Sequence, residues 1–193
     1  MDIATAILAC SLYADDMMVG AIADSGSHGN TYFVHVATAG GIGTVDDQPR
    51  SLAEAMARAG DTKATAGRMA LGLMSIPTEW LDSFGRPLRD AFDPCVNIAI
   101  GTAMLSQFAF EYRRQPHSQS LPTEIRQDDL RACTTRRYAE AIGMPELEEL
   151  VALNLIYRQS LPVADAADAP LFIMPAGDQW GPIRILVPLR KTP

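Results

Sequence analysis

Apolar side chains recur at Ile3, Ile7, Cys10 and Ala14, with Ala6 and Leu8 beside them. That spacing predicts a helix from Ile3 to Ala14, ending near Asp15-Asp16. Asp24 to Asn30 is rich in turn formers and leads into Thr31-Tyr32-Phe33-Val34-His35-Val36, a β-rich run that predicts a strand. Gly40-Gly41-Ile42-Gly43 reads as a glycine turn bordered by a second extended segment. Ser51, with Glu54 three residues on, has the signature of a capping box, and the helix it starts is expected to run to Gly60. A further helix is predicted from Thr65 to Leu73. Ile98, Gly101, Leu105, Phe108, Ala109 and Tyr112 fall on one helical face, which places a helix over Asn97–Tyr112. Ser118 to Leu121 reads as a loop. Gln127 to Ile142 reads as a helix closed by Gly143. Pro145 suits the first position of a last helix running to about Arg158, with Glu146, Glu148 and Glu149 near its N-terminal dipole. Leu161 to Pro170 has the composition of a linker. Beyond it, Leu171–Met174 and Ile183–Val187 are spaced to pair as a small hairpin.

Composition narrows the picture. The chain has 193 residues, 48% of them hydrophobic and 20% charged, which is a globular composition with length enough for one domain and a sizeable core. A net charge of -7 argues against a nucleic-acid partner. No run approaches the ~20 apolar residues that cross a bilayer, and Met1-Asp2 opens without the basic segment of a secretory signal. His28, His35 and His117 are scattered without ligand spacing, and Cys10, Cys95 and Cys133 lack the paired spacing of a zinc site. No metal or cofactor is expected from these residues.

The most specific signal is Gly72-Leu73-Met74-Ser75-Ile76-Pro77-Thr78-Glu79-Trp80, followed by Ala91-Phe92-Asp93-Pro94-Cys95-Val96-Asn97-Ile98 and Gly101. This pair of motifs resembles the core of lysozyme-like lytic transglycosylases that accompany type IV secretion and conjugation machines, whose wording is G-L-M-Q-I-N and then F-D-P-C-x-N-I-x-x-G. The resemblance covers Leu71 to Tyr112. It implies a mostly helical α+β fold of the goose-type lysozyme kind over residues 1–160, with a β insertion near Thr31 to Val45, and an extension over 161–193. It also implies peptidoglycan as substrate, subunits of the secretion apparatus as partners, no cofactor, and a place in the periplasm or cell envelope, although without a visible signal the cytoplasm stays open. In the family the cysteine of F-D-P-C has a partner in a later helix, and Cys133 is the candidate here. A Cys95–Cys133 bridge would require an oxidising compartment; two buried thiols are the alternative.

Enzymes of this family use one glutamate, which protonates the glycosidic oxygen and then accepts the proton of the sugar's own hydroxyl. Other glycosidases divide that work between two carboxylates. The family wording is A-I-x-x-x-E-S-x-x-x-P-x-A-I. Laid on Ala6-Ile7-Leu8-Ala9-Cys10-Ser11 without gaps, it puts Ser11 in the place of the glutamate; a one-residue gap puts Asp15 there instead. Loss of general acid–base help is worth about 10² to 10⁴ in rate. Asp16 and Glu79 are lesser candidates, and Glu54 reads as a cap. The resemblance further implies a substrate groove at Gly72, Leu73, Met74, Ser75, Ile76, Trp80 and Asn97. Ser75 and Pro77 replace its glutamine and asparagine, and Thr134-Thr135 stand where it has tyrosine-asparagine. Two functions follow as expectations: a weakened or inactive wall-cleaving enzyme, or a non-catalytic glycan-binding scaffold of the same apparatus.

Overall fold

The computed structural model describes residues 3–11, 14–36, 48–65 and 69–160. Helix α1 (Ile3–Cys10) stops four residues earlier than its apolar spacing predicts. The reason is Asp15: its backbone is extended and its Oδ1 accepts from the Met17 N–H at 3.0 Å. That is N-cap geometry, so Asp15-Asp16 begins a new helix, α2 (Asp16–Ser27), rather than ending the first.

Helix α2 is where the local reading errs most. Residues 19–27 are all buried, and this is why the segment uses Gly20, Ala21, Ala23, Ser25, Gly26 and Ser27. Small side chains let neighbouring elements approach closely from every side, whereas propensity alone assigns Asp24–Ser27 to a turn. The turn comes later. His28, in the left-handed region at φ 54°, closes the helix, and Gly29 follows at φ 70°.

Strand β1 (Val34–Val36) pairs antiparallel with β2 (Met69–Leu71), and β2 with β3 (Ile76–Pro77), giving the order β1-β2-β3. Val34 lies opposite Leu71, and Ala70 opposite Pro77. The predicted helix over Thr65–Leu73 is therefore wrong. Met69, Ala70 and Leu71 are all buried, and a short run that is apolar on both faces fits a central strand as well as a helix. Helix α3 (Leu52–Thr65) instead continues through Gly60. Its capping box forms: the Glu54 N–H donates to Ser51 Oγ at 3.3 Å, and Glu54 Oε2 accepts from the Arg50 N–H at 2.9 Å.

Helix α4 (Thr78–Ser83), a 3-10 turn (Leu88–Phe92) and α5 (Pro94–Arg113) follow. Asp93 caps α5 through Oδ1 to the Val96 N–H at 3.0 Å, with Pro94 in the first turn. The predicted loop at Ser118–Leu121 is mostly a short helix, α6 (Pro116–Ser120). Helix α7 (Thr123–Ile142) ends at Gly143, φ 73°, as its sequence predicts. Pro145 sits in the turn before α8 (Leu147–Ser160) rather than at its first position. Helix α5 packs on α7 and α1, and α2 on α8; Ile22, Leu71, Met74, Ile98, Met104, Tyr138 and Leu147 fill the core between them. The result is a mostly helical α+β domain with a small antiparallel sheet. The glycine turn at 40–43, the linker from Leu161 and the predicted hairpin beyond it lie outside the described residues. Among those described, no helix is long and apolar enough to cross a membrane.

Candidate functional site

Between β2 and β3 the chain makes a tight turn, Gly72-Leu73-Met74-Ser75, and Asn97 holds it. From the first turn of α5, Asn97 Nδ2 donates to the carbonyls of Leu71 at 2.9 Å and Ala91 at 2.7 Å, while its Oδ1 accepts from the Met74 N–H at 2.6 Å. One buried amide thus satisfies three backbone groups that the turn leaves without partners. Gly72 is required here: φ is 73°, and a Cβ would stand 2.2 Å from the Ala91 carbonyl oxygen. Gly101, one turn further along α5, makes room for Met74, whose Cβ would lie 2.8 Å from an added methyl. On the other side Tyr138 donates its hydroxyl to the Met74 carbonyl at 2.5 Å. Burial pushes the Tyr138 pKa far up, so the hydroxyl stays a donor. Both sequence motifs thus converge on one turn.

The C-terminal end of α2 packs against that turn. Ser27 Oγ donates to the Leu73 carbonyl at 2.7 Å, and Gly26 lies so close that an added Cβ would sit 3.4 Å from Ser75 Oγ. Ser75 has a positive φ of 50° and a hydroxyl that is buried without a partner. Ser25 Oγ accepts from Asn154 Nδ2 of α8 at 2.5 Å. Asp24 is 2% exposed and lies three residues before Ser27, in the last turn of α2.

The residues expected to line a groove are differently placed. Leu73, Met74, Ser75, Ile76 and Asn97 have no exposed surface, and Gly72 is buried too. They lie in the core rather than on an open surface. Trp80 is half-buried, edge-on to Phe108 at 6.0 Å and stacked on Phe84 at 6.4 Å. Ser11 follows the last turn of α1 with its hydroxyl buried and without a partner. Asp15 is an exposed helix cap, and Asp16 and Glu79 are exposed in the first turns of α2 and α4. Glu79 Oε2 accepts from the Thr78 hydroxyl at 3.5 Å. Thr134 and Thr135 are buried on α7, with Thr135 Oγ1 donating to Met18 Sδ at 3.8 Å.

The cysteine pairing also differs from expectation. Cys95 is bonded to Cys10, Cα to Cα 5.2 Å, and Cys133 is a half-buried free thiol whose pKa is raised by burial. The early end of α1 explains this, since α1 packs along α5 and brings Cys10 to the start of that helix. Among the described residues no cluster of three or more metal-ligating side chains occurs.

Sequence reasoning missed Asp24-Ser25. The available signal was the acid-serine pair in the family wording, which this chain contains twice, at Asp24-Ser25 and Asp82-Ser83. Asp82 and Ser83 are exposed at the end of α4; only Asp24-Ser25 is buried at a helix end. No family model, curated protein or solved structure matches the chain.

Proposed function

We propose that this chain is a peptidoglycan-acting protein of the lytic transglycosylase kind, serving a type IV secretion or conjugation apparatus, with Asp24 in the role of the single acid. The observation that carries this reading is the packing of Gly26 and Ser27, directly after Asp24-Ser25 in the last turn of α2, against the Gly72–Ser75 turn. Both motif resemblances and the acid-serine pair then fall in one place. The Cys10–Cys95 bridge supports an oxidising compartment such as the periplasm.

Aspartate is one methylene shorter than the family's glutamate, and a displacement near 1 Å costs about 10² in rate. Slow cleavage is therefore expected. Purified protein incubated with peptidoglycan should release anhydro-muropeptides slowly, Asp24→Asn should abolish the release, and Asp24→Glu should raise it. Cleavage that survives Asp24→Asn rejects the assignment.

The near-complete burial of Asp24 favours one second reading, a glycan-binding scaffold without cleavage. In that case the protein sediments with peptidoglycan, no anhydro product forms, and Asp24→Asn leaves sedimentation unchanged.

A further inference from the structure

Helices α5, α6 and α7 border a cavity of about 350 Å³. Its two charged side chains come from different walls, Arg113 from the last turn of α5 and Arg126 from the first turn of α7. Thr123 and Gln127 add a hydroxyl and an amide, and Leu130 an apolar surface. Among the described residues, no carboxylate lines this cavity.

Arg126 has a donor that the chain itself does not answer. One of its terminal nitrogens donates to the Leu121 carbonyl at 2.6 Å, while its Nε is buried without a partner. A stranded buried donor costs about 1 to 3 kcal/mol, and more on a charged group. Arg113 is exposed and enters no ion pair among the described residues. It also borders a separate cavity that carries Asp15, without pairing with that carboxylate.

Asp129 stands beside the lining through Tyr112, and its partners are its own. Its Oδ2 accepts the Tyr112 hydroxyl, and His117 Nε2 lies 3.9 Å from the same oxygen. The hydrogen bond to Asp129 pushes the Tyr112 pKa up to about 12, so at neutral pH the hydroxyl stays a donor and that oxygen stays engaged. Asp129 is therefore not the acceptor that Arg126 lacks. With Asp129 included, Arg113 and Arg126 still leave the surroundings of the cavity one charge positive. Pockets that bind small molecules combine an apolar surface with a few convergent polar groups of this kind.

We propose that this cavity binds a phosphate group, free or at the head of a monoester. The arrangement of donors selects it. A planar carboxylate is matched by one complete guanidinium fork, but the fork of Arg126 is partly engaged by Leu121 and presents Nε alone. Arg113 approaches from another wall. A tetrahedral anion has oxygens for donors that arrive from several directions. At about -1.5 to -2 near pH 7, a phosphate monoester also carries enough charge to answer both arginines. Leu130 borders room for the carbon skeleton of an ester.

Inorganic phosphate is the probe, titrated into the full chain at constant ionic strength. NMR follows the Arg126 Nε–H resonance and the backbone amides of Thr123 and Gln127. Saturable shifts are expected at all three, with acetate and chloride binding about tenfold more weakly or less. Arg113→Gln should weaken phosphate binding about tenfold or more, the loss of one charged hydrogen bond. Because Arg113 is exposed, the melting temperature of that variant should be unchanged. Arg126→Lys, which keeps the charge and removes Nε, should weaken binding by a similar factor at the two amides. Glycerol 3-phosphate separates the sources: tighter binding than inorganic phosphate assigns the ester, and equal or weaker binding assigns the free ion. Absence of saturable shifts overturns the proposal and leaves the cavity to water. So do shifts that acetate or chloride reproduces, or binding that Arg113→Gln leaves unchanged. Wall cleavage is not part of the readout, so the result stands whatever Asp24 does.

Discussion

Asn97 fixes the geometry of the candidate site through three hydrogen bonds to backbone groups of Leu71, Met74 and Ala91. Asn97→Ala would strand two carbonyls and one N–H in a fully buried place. At about 1 to 3 kcal/mol for each stranded group, the loss should reach about 3 kcal/mol or more. Urea unfolding measures it, and a loss under 1 kcal/mol would show that the turn holds itself. His35 makes a second residue-level prediction. It is 2% exposed on β1, and desolvation lowers its pKa below the usual 6.5, outweighing the Gly143 backbone and the Glu146 carboxylate, which favour the charged ring. The folded state therefore holds this ring neutral, while the unfolded chain takes up a proton as pH falls through about 6.5. Stability attributable to His35 is complete above that pH and is lost progressively below it. His28 is shifted in the same direction by burial. Unfolding curves between pH 7.5 and 5 should show this decline, and His35→Gln should flatten it. An unchanged slope in that variant would place the titration elsewhere.

At the scale of elements, Gly60 separates sequence expectation from structure. It reads as a helix stop, yet α3 runs through it, and a Cβ there would meet nothing within 4 Å. Gly60→Ala should then stabilise the protein by about 0.5 to 1 kcal/mol, seen as a higher urea midpoint; a lower midpoint would contradict an uninterrupted α3. The elements most legible in the sequence are those whose signals are local. The Asp93-Pro94 start of α5, the Ser51–Glu54 box and the Gly143 stop each depend on residues within a few positions. Helix α2 and strand β2 were hidden because their character comes from surroundings distant in sequence. Ser25 and Ser27 are helical because α8 and the Leu73 carbonyl partner them, and Met69–Leu71 is a strand because β1 and β3 flank it. The site followed the same rule. The motifs at 72–76 and 91–101 announced a turn and its staple, but the α2 end that packs on that turn through Gly26 and Ser27 lay in a segment whose composition reads as a loop.

Across the whole molecule, Cys10–Cys95 ties the first described helix to the start of α5 over a sequence separation of 85. Closing so long a loop removes unfolded-state entropy, with a typical effect of about 2 to 4 kcal/mol. Dithiothreitol should lower the urea midpoint accordingly, and Cys10→Ser should reproduce the shift. Cys133→Ser should leave the midpoint nearly unchanged, and mass spectrometry of the non-reduced protein should find the Cys10–Cys95 cross-link. A Cys95–Cys133 cross-link, or three alkylatable thiols in protein from an oxidising compartment, would refute the pairing.

The bridge also has a consequence in time. During synthesis Cys10 emerges long before its partner, and at 5 to 20 residues per second the wait is about 4 to 17 s. Cys133 appears later still, 38 positions beyond Cys95 in the sequence. If the chain meets oxidant as it emerges, the native pair is the first that can close. The third thiol lags by about 2 to 8 s at the same rate, so order of appearance gives the native pair a head start against mispairing in a chain with an odd number of cysteines.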